Sequence, residues 1–261
     1  AIFYIYFNKQ IINYLFGYFD KALENTKKTE KYLFGVTGNL VVPVFFFYDS
    51  LIQLAANSKA IDKNLTTILN KVEINQAKMQ EWANHAPMNF QHKYDLVEAE
   101  KHRLLNNKID AIEYYDKAIY GARENEYSQE EALANELAAK FYLNWSKEKV
   151  ASGFMQEAYY CYARWGAKAK TDDLEKRYPN LIKPILEQQR ITFKPSETIA
   201  FPASFSSTIN SNSSTTSISN LLDFTSILKA AQNISSNIEL DELITNLTKI
   251  ILENSGAKKS V

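Results

Sequence analysis

Three histidines (His85, His92, His102), one cysteine (Cys161) and a few close carboxylates are the residues of this chain whose types could do chemistry. A helical metal pair needs histidines at i and i+4, so that both imidazoles reach one ion. None of the three stands at that spacing, and no HExxH occurs. His92 and His102 share one predicted helix and lie roughly 15 Å apart by helical rise, too far for a single ion. The histidines therefore read as surface or packing residues. Cys161 lies among Tyr159, Tyr160 and Tyr162. A reactive thiol wants a cationic, partly exposed setting, which Arg164 could supply, but the neighbouring alanines favour a buried small residue. Glu98 and Glu100, like Asp172 and Asp173, point different ways on a helix and do not pair for general acid–base work. They read as solvated faces or, for the aspartates, as helix-start charges that suit the dipole. The chain has no GxxxxGK[ST] phosphate loop, no HRD or DFG element and no histidine in a phosphoacceptor pattern. It offers no catalytic, cofactor-binding or metal-ligating residue, and this segment calls for no cofactor.

The spacing points to recognition instead. Residues 108–119 read KIDAIEYYDKAI, and Ile109, Ile112, Tyr115, Ala118, Ile119 and Ala122 recur at three- and four-residue steps, one face of a helix. Ala111 and Ala118 lie two turns apart, on the side where a neighbouring helix must come close. Ala151 and Ala158 repeat that spacing about 40 residues later. Tyr114, Tyr115, Tyr159, Tyr160, Tyr162 and Trp165 form an aromatic strip. Most of it should be core between helices, and some should face a groove that holds a partner helix or peptide. These six are the candidate protein contacts.

The elements that position them are helical. Periodicity predicts helices over residues 2–16, 18–34, 40–56, 64–86, 89–105, 108–125, 128–145 and 148–167. A terminal helix follows over 172–178 and 181–189, kinked or divided by Pro179 and Pro184. Pro43 is tolerated in a first turn, and Ser128 with Glu131 is set out as a capping box. Residues 201–220 hold eight Ser, three Thr and three Asn with no charge. Such a stretch cannot bury enough apolar surface to offset its ordering entropy. The reading is an all-α chain: helix pairs over 1–190, a flexible linker over 191–220, and further helices over 221–261.

Composition narrows the class. Thirty basic and thirty acidic residues give a formal net charge of +0, which argues against nucleic acid or a membrane surface as partner. The apolar stretches at 2–16 and 40–48 fall short of the roughly 20 clean residues of a membrane span, and no secretory signal pattern is present. One cysteine suits a reducing cytoplasm. Sixteen Tyr and fifteen Phe against seven Gly favour helices packed through aromatic knobs. The chain starts at Ala1 rather than a methionine and stops at Val261 just past a helical segment, which predicts a fragment of a longer polypeptide.

The run at 108–119, with the Gly17 turn and residues 18–23, resembles a tetratricopeptide (TPR) repeat, an antiparallel helix pair that stacks into a solenoid because no pair buries its apolar face alone. Residues 85–90, 131–142 and 157–170 resemble the helical region of large, mainly cyanobacterial signalling proteins. In those proteins a serine/threonine kinase, an AAA-type ATPase, this helical region, a GAF domain and a sensor histidine kinase are joined. The segments 222–224, 239–243 and 253–257 resemble the opening helices of that GAF domain. The resemblance implies a non-catalytic scaffold linking an ATPase module to a GAF sensor. It docks neighbouring modules of its own polypeptide or a signalling protein, and the absent histidine-kinase part could supply oligomerisation. The kinase and ATPase activities of the whole protein attach to no residue here. The alternative is a free-standing TPR adaptor for an external peptide or protein.

Overall fold

The computed structural model describes residues 2–56 and 62–192, with side chains over 2–56 and 65–185. Every regular element among them is helical: α1 (Ile2–Leu15), α2 (Phe19–Glu30), a 3-10 turn (Leu33–Val36), α3 (Val41–Ala56), α4 (Asp62–His85), α5 (Pro87–Leu104), α6 (Lys108–Glu124), α7 (Ser128–Asn144), α8 (Glu148–Arg164), α9 (Lys168–Arg177) and α10 (Pro179–Thr192). Of the linker expected over 191–220, residues 191–192 belong to α10; the rest of it, and the GAF-like helices expected over 221–261, lie outside the described residues. No described helix is long and apolar enough to cross a membrane.

The most regular feature is a turn. Left-handed residues stand at Asn106, Glu126, Ser146 and Gly166, every twentieth position. At each, the following N–H donates to the carbonyl five residues back: Asn107 to His102 (2.9 Å), Tyr127 to Ala122 (2.8 Å), Lys147 to Tyr142 (2.9 Å) and Ala167 to Tyr162 (2.9 Å). This closure satisfies carbonyls that a helix end would otherwise leave bare. The α1–α2 connection at Gly17 closes the same way, with Tyr18 donating to Asn13 O at 2.8 Å. Because the turns are alike, α6, α7 and α8 are each 17 residues long.

The helices pack as antiparallel pairs, α5 along α6 and α7 along α8, while α5 also packs against α3 on one side and α7 on the other. Ala111, Ala118, Ala151 and Ala158 are buried where those pairs meet, since a methyl is the largest group such a close approach admits. One apolar core runs from Tyr14 and Ala22 through Phe47, Leu51, Val72 and Leu96 to Tyr115, Leu137 and Phe141. A second joins Met155, Tyr162, Leu174 and Ile182. A third sets Phe3 and Phe7 of α1 against Phe45 and Phe46 of α3.

Several expectations need correction. Helix α2 stops at Glu30 rather than near residue 34. The 3-10 turn that follows eclipses Leu33 and Val36, so both reach the phenylalanine cluster while Phe34 is left almost wholly exposed. Ser128 caps nothing: the N-cap of α7 is Tyr127, without a side-chain cap bond. The Glu131 carboxylate is taken instead by Arg123 and Arg164, each at 2.7 Å. Ile109, assigned to the buried face, is exposed in the first turn of α6. Glu98 and Glu100 are buried rather than solvated. Asp172 and Asp173 stand past the first turn of α9, which starts at Lys168, so they are not helix-start charges.

Candidate functional site

Helix α7 explains where the charge lies. From Glu130 to Ala139 every residue is buried, because α6, α8, α5 and the α1–α2 turn enclose it. A helix enclosed on all sides must find partners for its polar groups. Glu136 is the centre of that accounting. Its carboxylate receives Lys140 Nζ (2.7 Å), Lys170 Nζ (3.0 Å) and the Tyr162 hydroxyl (2.8 Å), with Arg177 Nη2 at 3.8 Å. Burial opposes its charge, but Lys140 and Lys170 win and hold the carboxyl down at about 2. Burial pulls the Lys170 ammonium below its usual range, with Glu136 resisting.

Beside it, on α5, Glu100 takes Arg103 through Nε (3.0 Å) and Nη2 (2.8 Å) and accepts a hydrogen bond from Tyr115. Glu100 holds the Arg103 guanidinium above its ordinary pKa against the effect of burial. These two carboxylates lie on α5 and α7 facing the α1–α2 turn. Tyr14, Leu15 and Phe19 form one wall of a cleft of about 160 Å³. Ala55 of α3, Glu100 and Arg103 of α5, and Leu133, Glu136, Leu137, Lys140 and Asn144 of α7 form the other. The turn is fixed by α9: Lys170 Nζ donates to Leu15 O at 2.8 Å and lies 5.5 Å from the Phe16 ring centroid. The charges lining the cleft are largely matched within the chain, and Lys170 also binds the carbonyl at the end of α1.

None of the six aromatic candidates lines the cleft. Tyr115 and Tyr162 are fully buried behind it and brace Glu100 and Glu136 with their hydroxyls. Burial first, then those carboxylates, push both phenols well above their ordinary pKa. Tyr159 donates to Glu175 at 2.8 Å. Tyr114 is half-buried and stacks on His102 at 5.4 Å. Tyr160 and Trp165 are exposed at the end of α8. Arg103–Glu100 and Lys140–Glu136 are i,i+3 and i,i+4 pairs that the sequence spacing offers, whereas Lys170, Tyr162 and Tyr115 reach these carboxylates from other helices and carry no such signal.

The histidines take separate roles. His92 is buried against the α6–α7 region, 4.6 Å from the Tyr127 ring, with its Cβ where a Cβ at Gly121 would stand 3.2 Å away. Lys93 Nζ lies 3.0 Å from His92 Nε2, and burial with that cation lowers the imidazole pKa to about 3. Cys161 is buried, and burial with Glu131 pushes its thiol up to about 12. No group of three or more His, Cys, Asp or Glu among the described residues is placed to hold a metal ion.

Comparison with known proteins adds one similarity. Over 61 residues the chain is 43% identical to hybrid signal transduction histidine kinase G of Dictyostelium discoideum. The match covers 23% of this chain and 2% of that protein's length. No family profile matches the chain, and no solved structure matches it.

Proposed function

We propose that this segment is a TPR-like docking scaffold within a multidomain signal-transduction kinase. The observation that carries the reading is the left-handed turn at every twentieth residue. Over residues 106–166 it gives the pairs α5–α6 and α7–α8 the same 40-residue repeat, which is the regularity a stacked helix-pair scaffold needs. The similarity to a hybrid histidine kinase supports a signalling context. In this reading the segment links an ATPase module to a GAF sensor in the cytoplasm. Residues 191–220 are the tether that sets the effective concentration for docking, and 221–261 open the GAF domain. Exposed Tyr160 and Trp165 remain the accessible members of the aromatic strip.

The test is binding between purified residues 1–190 and the modules encoded on either side, measured by calorimetry with and without Trp165→Ala and Tyr160→Ala. Saturable binding weakened by those variants supports the scaffold. Binding to neither module, with correct helicity of the purified segment, overturns it.

A further inference from the structure

Tyr14 is 4% exposed, and its ring packs into the main apolar core, edge-on to Tyr48 at 6.0 Å. Its hydroxyl, however, has no hydrogen-bond partner. Burial first, then the charges of Glu100 and Glu136, push this phenol well above its ordinary pKa, with Arg103 opposing. All three charged groups line the cleft of about 160 Å³ together with Tyr14. A buried hydroxyl left dry forfeits its hydration, so one that borders a cleft points to a ligand. The α1–α2 hairpin is itself firmly seated, since Ala22 is buried in the same core and Leu15, Phe19 and Leu23 pack against it. The cleft is therefore a fixed feature between well-packed elements.

The other polar groups of the cleft are donors with hydrogens to spare. Glu100 already takes Arg103 twice and Tyr115 once. Glu136 takes Lys140, Lys170 and Tyr162. The acceptors are thus filled. Arg103 turns Nε and Nη2 to Glu100, which leaves the two N–H groups of Nη1. Lys140 pairs with Glu136 and keeps its side chain partly exposed, and exposed Asn144 stands beside it in the lining. Charge points the same way. In the cleft and behind it, four cations (Arg103, Lys140, Lys170, Arg177) meet three carboxylates (Glu100, Glu136, Asp173). One positive charge is in excess, and an anion would balance it. The rest of the lining is apolar, chiefly Phe19, Leu133 and Leu137.

We infer that this cleft, between the α1–α2 hairpin and helices α5 and α7, binds a small monocarboxylic acid with a compact apolar body. The carboxylate accepts from the Tyr14 hydroxyl, Arg103 Nη1 and Lys140 Nζ, and a planar acceptor suits the arginine fork. The body lies against Phe19, Leu133 and Leu137. A cleft of about 160 Å³ is smaller than the roughly 300–1,000 Å³ of pockets for drug-sized ligands. The ligand is accordingly a free acid of a few carbons, and an extended peptide does not fit under the seated hairpin. Once bound, the acid touches the first helix pair, α5 and α7 together. This goes beyond the docking-scaffold reading, and its test needs no flanking module.

The test is a titration of the full chain of 261 residues with isocaproate, followed by NMR. Saturable binding is expected, with a Kd below about 1 mM. Isocaproamide keeps the body and loses the charge, so it should bind at least about tenfold more weakly. Inorganic phosphate, an anion without the body, should bind no better than the amide. Tyr14→Phe is the decisive variant, because it removes an unpartnered hydroxyl and should not unfold the chain. The ligand-free variant should keep or raise its thermal midpoint, while its affinity for isocaproate falls at least about fivefold. Lys140→Met should also weaken isocaproate binding and leave that of the amide unchanged. No saturable binding, equal affinity for acid and amide, or equal affinity of the unaltered protein and Tyr14→Phe would each overturn the site. Tighter binding of the peptide Gly-Gly-Gly-Leu than of isocaproate would overturn the free acid as the ligand class. Failure of the flanking modules to bind would refute the scaffold and leave the titration standing.

Discussion

Lys170 Nζ and Leu15 O are joined at 2.8 Å across 155 residues of sequence. That bond ties the ninth helix to the end of the first, and the same ammonium is 3.0 Å from the Glu136 carboxylate. A buried charge, a buried counter-charge and a main-chain carbonyl therefore share one point. The predictions below probe that point and the frame around it.

Glu136→Gln leaves Lys170 buried without its main counter-charge. Breaking a buried pair from one side costs about 3–5 kcal/mol, so the urea midpoint should drop severalfold more than for an exposed pair such as Glu24→Gln. Acid sensitivity should change too. The folded protein holds the Glu136 carboxyl at about 2 against an ordinary 4.5. Its stabilisation is present above about pH 4.5 and lost as the pH falls toward 2. Denaturant titrations across that window should show a shallower slope in the variant.

His92 acts in a neighbouring window. Its ordinary value is 6.5 and its folded value about 3. As the pH falls below 6.5 the unfolded chain takes up a proton that the folded chain refuses, so its contribution to stability declines between about pH 6.5 and 3. His92→Gln should flatten the stability–pH curve there. An unchanged curve would show that His92 takes up its proton equally in the folded and the unfolded chain.

Ser146→Gly removes a side chain from a left-handed position, where an L-residue costs about 1–2 kcal/mol, and Gly relieves it at some loss of chain entropy on folding. The net expectation is a gain of about 0.5–1 kcal/mol, visible as a higher thermal midpoint. Glu126→Gly should behave alike, and a fall in both midpoints would refute the account of the turn.

Cys161 should be silent toward thiol reagents in the native state. Its thiol is buried and pushed up to about 12, so thiolate is scarce and shielded. Labelling by a chromogenic disulfide should be at least about a hundredfold slower in buffer than in denaturant. Rapid native labelling would place the thiol at the surface.

Helix existence was legible because alanine spacing and apolar periodicity are local properties. Ala111, Ala118, Ala151 and Ala158 announced the close packing that the structure contains. Helix ends were less legible: the stop at Glu30 depends on Leu33 and Val36 meeting a cluster built by α1 and α3. The charged face was not legible at all. The run EEALANELAAKF over 130–141 has the polarity of a surface helix, and it is buried only because Arg123, Arg164, Lys93 and Lys170 arrive from other helices. The two walls of the cleft, Leu15 and Leu137, belong to helices whose meeting no window of sequence encodes.

The turn at every twentieth residue sets a unit of change. Between α5 and α8, gain or loss of one 40-residue pair would keep the turns and the helix lengths of the pair beside it, whereas α1–α4 follow other lengths. The span of that regular part can therefore be altered in whole steps, each one helix pair wide. Length becomes a counted quantity, separable from the contacts that keep each pair folded.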